Sequence, residues 1–140
     1  MFLRFTIRRH DERSGAPEGL FTVAYREFRH ADLQPYEREW LEELLNWFKR
    51  KLKIPGGLKE DRNKRAICWF KEESREVVSK AWELVIFLRE RGYHLDVHRT
   101  ESPGILVHED GHQVAAKPLR KGRRYFKRAL ERGDYDEKQS

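Results

Sequence analysis

Three residues at alternate positions, His94, Asp96 and His98, supply the donor types of a two-histidine, one-carboxylate metal centre. In a strand, side chains of period two put all three on one face, and His108 from the next strand can join them. The competing account is the wet face of an amphipathic strand, which needs no ion. It is preferred, because such centres gather ligands from several elements and require supporting hydrogen bonds. His108-Glu109-Asp110-Gly111-His112 has the composition of a metal motif but lacks the geometry. On a hairpin closed by Asp110-Gly111, His108 and His112 pair with different residues and point to opposite faces. Glu109 and Asp110 make a poor acid and base pair for a related reason: an exposed tip tunes neither pKa. No metal or other cofactor is expected.

A different chemistry is written near the end of the chain. Lys117, Arg120, Lys121, Arg123, Arg124, Lys127, Arg128 and Arg132 face only Glu131 within residues 117–132, a local charge of +7. Residues 133–140 carry −2, so residues 1–116 carry +1 of the total +6. Cations interleaved with Tyr125 and Phe126 suit phosphate neutralisation and base stacking, with counterion release making the binding salt-dependent. The plainer account is a solvated basic helix whose Tyr125, Phe126, Ala129 and Leu130 dock on the body. The asymmetry favours a nucleic acid or an acidic protein surface as partner.

Other classes are disfavoured by missing motifs. There is no Gly-x-Ser-x-Gly elbow, no His-Glu-x-x-His, no dinucleotide glycine fingerprint, no phosphate loop and no paired Cys-x-x-Cys. Cys68 is the one cysteine, which precludes an internal disulfide, and its apolar surroundings read as those of a buried small hydrophobe. The amino terminus alternates like a strand, without a signal-type apolar core. No run approaches the roughly 18 apolar residues of a membrane span. A cytoplasmic protein without membrane contact is the expectation.

The elements that would position these groups follow from periodicity. Residues 2–8 alternate with Leu3, Phe5 and Ile7 inward, and residues 20–26 repeat the pattern with Phe21, Val23 and Tyr25, giving two antiparallel strands around a loop at 10–19. From 32 to 53 the period becomes helical, with Pro35 in the first turn, Glu37 and Glu39 near its positive end and Lys49, Arg50, Lys51 and Lys53 near its negative end. Trp40, Leu41, Leu44, Leu45, Trp47, Phe48 and Leu52 form its apolar stripe, read as core rather than a ligand cage. Ile54-Pro55-Gly56-Gly57 ends it, and 58–65 is a polar loop. Residues 66–70 are apolar on both faces, as in a central strand. Ser74 caps a second helix bearing Val77, Val78, Ala81, Trp82, Val85 and Leu88, and Gly92 stops it. Strand, helix and strand suggest a crossover between parallel strands. Leu95 and Val97 then point in, with His94, Asp96 and His98 out. A two-residue Asp110-Gly111 turn would pair Glu109 with His112, His108 with Gln113, Val107 with Val114 and Ile105 with Ala116.

The phrases Ala66-Ile67-Cys68-Trp69-Phe70-Lys71, Pro103-Gly104-Ile105, His108-Glu109-Asp110 and Gln113-Val114-Ala115-Ala116 together resemble a group of small, uncharacterised bacterial proteins. The similarity covers residues 2–118. It implies the order of elements and a bacterial cytoplasmic setting, and no activity. The expected architecture is α+β: one domain over 1–118, a mixed sheet of about six strands in the order ββαβαββ, and two amphipathic helices. A basic arm over 119–140, helical with a frayed end, follows. The expected function is a non-catalytic adaptor contacting nucleic acid or an acidic partner through the arm. Its alternatives are a protein-interaction module using the hairpin edge or the 10–19 loop, and a metal-dependent enzyme at His94, Asp96 and His98.

Overall fold

The sheet is assembled on β1 (Phe2–His10), whose alternating side chains let one face be apolar while both backbone edges pair. The computed structural model describes residues 1–10, 17–52 and 66–118. The expected helix end at 54–57, the polar loop at 58–65 and the arm at 119–140 lie outside them, as does most of the 10–19 loop. The remaining elements are β2 (Pro17–Gly19), α1 (Leu20–His30), α2 (Pro35–Lys51), β3 (Ile67–Lys71), α3 (Arg75–Glu90), β4 (Asp96–Thr100), β5 (Ile105–Glu109) and β6 (Gln113–Lys117). The fold is α+β, with six strands and three helices among the described residues.

Every strand pair is antiparallel, so the sheet is not mixed. Phe2 and Leu3 pair with Lys71 and Phe70 of β3 and also with Thr100 and Arg99 of β4, which places β3 and β4 on opposite sides of β1. Those two strands therefore run in the same direction, as expected for a strand–helix–strand crossover, but β1 is inserted between them. The sheet runs β2–β1–β3–β6–β5, with β4 beside β1. β2 pairs with the far half of β1, and Arg4 Nη2, from the near half, donates to the Pro17 carbonyl at 2.7 Å.

The largest correction concerns residues 20–30, which form a helix instead of a strand. The buried set Leu20, Val23, Ala24 and Glu27 has the spacing of one helix face. Phe21 and Tyr25, expected inward on a strand, are partly buried at the margin of the core. The true order is ββααβαβββ. α2 starts on a reciprocal cap: Gln34 and Glu37 satisfy each other's backbone N–H groups, and Pro35 opens the first turn. Gly92, at φ 98°, supplies the left-handed residue beyond α3.

The main core lies between one sheet face and the helices. Leu3, Phe5 and Phe70 from the sheet meet Val23, Leu41, Leu45, Val85 and Leu88 from the helices. Phe5 packs edge-on against Trp82 at 4.9 Å. Each fully buried side chain of this size contributes roughly 1.5–3 kcal/mol of transfer free energy. A smaller cluster of Ile67, Trp69 and Val114, with Phe2 against it, occupies the other face.

One polar group joins the helices inside this apolar frame. The buried Glu27 carboxylate accepts from Arg91 Nε and from the Tyr93 hydroxyl at 2.8 Å, while Arg91 also reaches Glu37 at 3.3 Å. Burial and the bond to Glu27 push the Tyr93 phenol above its ordinary 10.0, so it remains a donor. Removing Glu27 takes the buried acceptor from both the Tyr93 hydroxyl and Arg91 Nε and leaves Arg91 with Glu37 alone. Glu27→Ala is expected to destabilise by about 3 kcal/mol in urea unfolding, against less than about 0.5 kcal/mol for an exposed control, Glu43→Ala. Equal effects of the two would deny the network its role.

Candidate functional site

The hairpin β5–β6 is built by two local devices, and its outer strand is the feature that stands apart from the rest of the surface. At its start, Gly104 has φ 126° and sits against the Lys117 carbonyl, so any Cβ there would collide with backbone. Glycine is required on both counts. At the tip, the Asp110 carboxylate accepts from the backbone N–H of His112 at 2.8 Å and of Gln113 at 3.0 Å. Asp110 N also donates to the Gln113 carbonyl. This side-chain turn uses three residues and shifts the register from the one expected: Glu109 pairs with Val114, His108 with Ala115, Leu106 with Ala116 and Ile105 with Lys117. The odd residue, Val107, is absorbed as a bulge between Leu106 and His108.

The polar half of the hairpin is internally satisfied. His108 Nε2 lies 2.9 Å from Asp110 Oδ2, Lys71 Nζ lies 2.7 Å from Glu109, and His112 Nδ1 lies 2.8 Å from Ser74 Oγ. Ser74 does not cap α3 with its side chain, contrary to expectation, because the hydroxyl is turned to His112. The histidines take different partners, so the group 108–112 is a structural clamp between hairpin and helix. Its residues do not converge on an ion.

The other half of β5 is apolar and open. Ile105 is 55% exposed and Leu106 45%. Among the described residues β5 pairs only with β6, so its outer backbone edge carries no strand. The contrast with the opposite edge is instructive. There β4 shows Asp96, Arg99 and Thr100, the polar dressing that discourages strand addition, and β2 is three residues long and begins with proline. Two adjacent aliphatics on a free edge are the reverse of that dressing.

The expected wet face of His94, Asp96 and His98 is corrected. His98 is almost wholly buried, at 1% exposure, and its Nε2 is 2.6 Å from Thr6 Oγ1 across the β1–β4 pair. His94 precedes the strand, is exposed, and meets Asp96 at 3.1 Å. The three do not share one wet face, and among the described residues no group of three His, Cys, Asp or Glu could hold an ion. Val97, expected inward, is only partly buried. Cys68 is exposed instead of buried. Desolvation by the protein around it still lifts its thiol above 9.0, more than the positive charge of Arg4 lowers it, so it is no ready thiolate.

Of the basic run, Lys117 is described, at the end of β6. Arg120, Lys121, Arg123, Arg124, Tyr125, Phe126, Lys127, Arg128 and Arg132 lie outside the described residues. The α2 stripe is core at Leu41, Leu44, Leu45 and Phe48, whereas Trp40 is 37% exposed. It stacks on Phe87 at 5.0 Å beside a groove of about 350 Å³ between α2 and α3, rimmed by Glu43, Arg50, Lys80 and Glu83. No described helix is long and apolar enough to cross a membrane. No protein-family model, curated protein or solved structure matches the chain.

Asp110 gives the site a pH signature. Burial raises its pKa, but the hydrogen bonds from His108, His112 and Gln113 outweigh that and leave it below the ordinary 3.8. A depressed carboxylate contributes stability in full above its unfolded value and loses it as pH falls through the folded one. Asp110→Ala is therefore expected to lower stability by about 1–2 kcal/mol at neutral pH, the gap to the parent closing below pH 3.8. A gap that stays constant in urea titrations across that range would contradict the turn's dependence on the ionised carboxylate.

Proposed function

We propose that this protein is a non-catalytic interaction module whose contact surface is the outer edge of β5. The observation that carries the reading is the pairing of an open backbone edge with exposed Ile105 and Leu106. Backbone groups on such an edge supply affinity to an added strand, and the side chains beside it supply selectivity. The clamp formed by Asp110, Ser74 and Lys71 holds the strand in place before any partner arrives, which reduces the ordering cost of binding. Leu106→Glu is expected to leave the melting temperature within about 3 °C of the parent, since the side chain is exposed. It should also remove any partner that copurifies stoichiometrically in the presence of nuclease and high salt. Retention of that partner by the variant would defeat the proposal.

A second reading rests on the charge of the chain. The +7 of residues 117–132 makes this segment the natural contact for a polyanion, a nucleic acid or an acidic protein face. Changing Arg120, Lys121, Arg123 and Arg124 together to Gln should weaken binding of single-stranded RNA or DNA in a salt titration. The slope of log affinity against log salt should fall by roughly three on these single strands. An unchanged slope would remove nucleic acid from consideration.

A further inference from the structure

We infer that the occupant of the β5 edge is a short extended segment of a different protein, apolar at the end lying against Ile105 and Leu106, and not a second copy of this chain. The inference rests on the reading of β5 as the contact edge. Three features of the strand select between the two occupants.

The first is the position of the bulge. A twofold pairing of β5 with β5 of another copy, centred on the five-residue strand, would place its axis at Val107. That is where the register of β5 breaks. A bulge twists the edge and interrupts its evenly spaced donors and acceptors, so the symmetric ladder would be weakest at its middle. The second is the division of the strand into unlike halves. Antiparallel self-pairing about Val107 would set Ile105 opposite Glu109 and Leu106 opposite His108. Glu109 is held by Lys71 at 2.7 Å and His108 by Asp110 at 2.9 Å, so neither can turn away without breaking a bond inside its own molecule. Each exposed aliphatic would then gain a polar neighbour instead of an apolar one.

The third is size. Five residues of strand span about 17 Å, and self-pairing of so short an edge falls well below the ~1,200 Å² of a stable dimer interface. A linear segment adding a strand faces no such requirement, because its affinity comes from main-chain bonds and one or two anchoring side chains. Ile105 lies on the Lys117 side of the ribbon and Leu106 on the Ala116 side, so they flank the incoming backbone on both faces. The segment that fits carries adjacent aliphatic residues at that end. It carries no carboxylate opposite Glu109.

The test uses the full chain and a designed probe, an acetylated eight-residue peptide with two adjacent isoleucines flanked by threonines and serines. Binding is followed through the amide resonances of 105–109. A matched peptide N-methylated at alternate amides, and the Leu106→Glu and Leu106→Ser variants, serve as controls. Sedimentation of the free chain from 5 to 500 µM is measured in parallel. The inference expects saturable shifts confined to this edge, at least tenfold weaker binding with N-methylation or with either variant, and a monomer throughout. Concentration-dependent dimerisation abolished by Leu106→Ser would overturn the inference while leaving the edge as the contact. Absence of both peptide binding and dimerisation would overturn the edge reading as well.

Discussion

The sharing of β1 between strands on both of its sides is the constraint on which this fold depends. Its first residues are engaged twice, by β3 on one side and β4 on the other, while its far half pairs with β2, which the Arg4 side chain also holds. The same strand contributes Leu3 and Phe5 to the core at 1% exposure each. Backbone pairing and apolar burial are thus satisfied by one segment, and displacing it would release three strands together. The direction of every other strand follows from it. β3 and β4 must run the same way to oppose β1, so α3 has to cross the sheet between them, and it covers the face that Leu3, Phe5 and Phe70 present.

A sheet organised around an interior strand leaves its hairpin at the periphery. Among the described residues the strand pairing that joins β5 and β6 to the rest of the sheet is that of β6 with β3, four register pairs long. That attachment is reinforced where the hairpin tip meets α3, by Ser74 with His112 and by the Lys71 backbone N–H on the His112 carbonyl at 2.9 Å. The reinforcement is polar and sits at one end of β5. The other end begins where Gly104 approaches the Lys117 carbonyl, and Ile105 and Leu106 there are exposed. Rigidity at the tip and exposure at the base are therefore two consequences of one geometry.

How far the sequence discloses this structure depends on whether the deciding partner is near or far along the chain. α2 and α3 are legible because their apolar stripes, Pro35 in the first turn of α2 and Gly92 beyond α3 are local signals, and β3 is legible as an interior strand from apolar residues on both faces. The segment 20–30 misleads. Its alternation at Phe21, Val23 and Tyr25 imitates a strand, and the helical set is obscured because its last member, Glu27, is charged. The groups that permit Glu27 to be buried, Arg91 and Tyr93, are more than 60 positions away. His98 misleads in the same way: it is counted as wet because it is polar, yet Thr6, 92 positions earlier, accepts it into the interior. The Asp110-Gly111 signal gives the hairpin but not its register, because the Asp110 carboxylate competes for backbone N–H groups that a tight turn would arrange otherwise. Cys68 lies in an apolar stretch whose neighbours are buried while it is not, a distinction no local pattern contains.

The exposure of Ile105 and Leu106 is harder to attribute to chance than that of a scattered surface aliphatic. Isolated exposed hydrophobes are ordinary, since folded surfaces are largely apolar. These two are adjacent, they lie on opposite faces of a ribbon, and they border a backbone edge that carries no strand among the described residues. Threonine has the β-branched shape that strands favour and would satisfy the local conformation without keeping aliphatic surface in water. The neighbouring bulge at Val107 interrupts the edge where continuous pairing with like strands would otherwise run. An edge that was merely unprotected would have neither feature, and an edge protected throughout would have lost the aliphatics. Retaining the apolar base while breaking the ladder beyond it matches a surface that admits a short strand and discourages a long one.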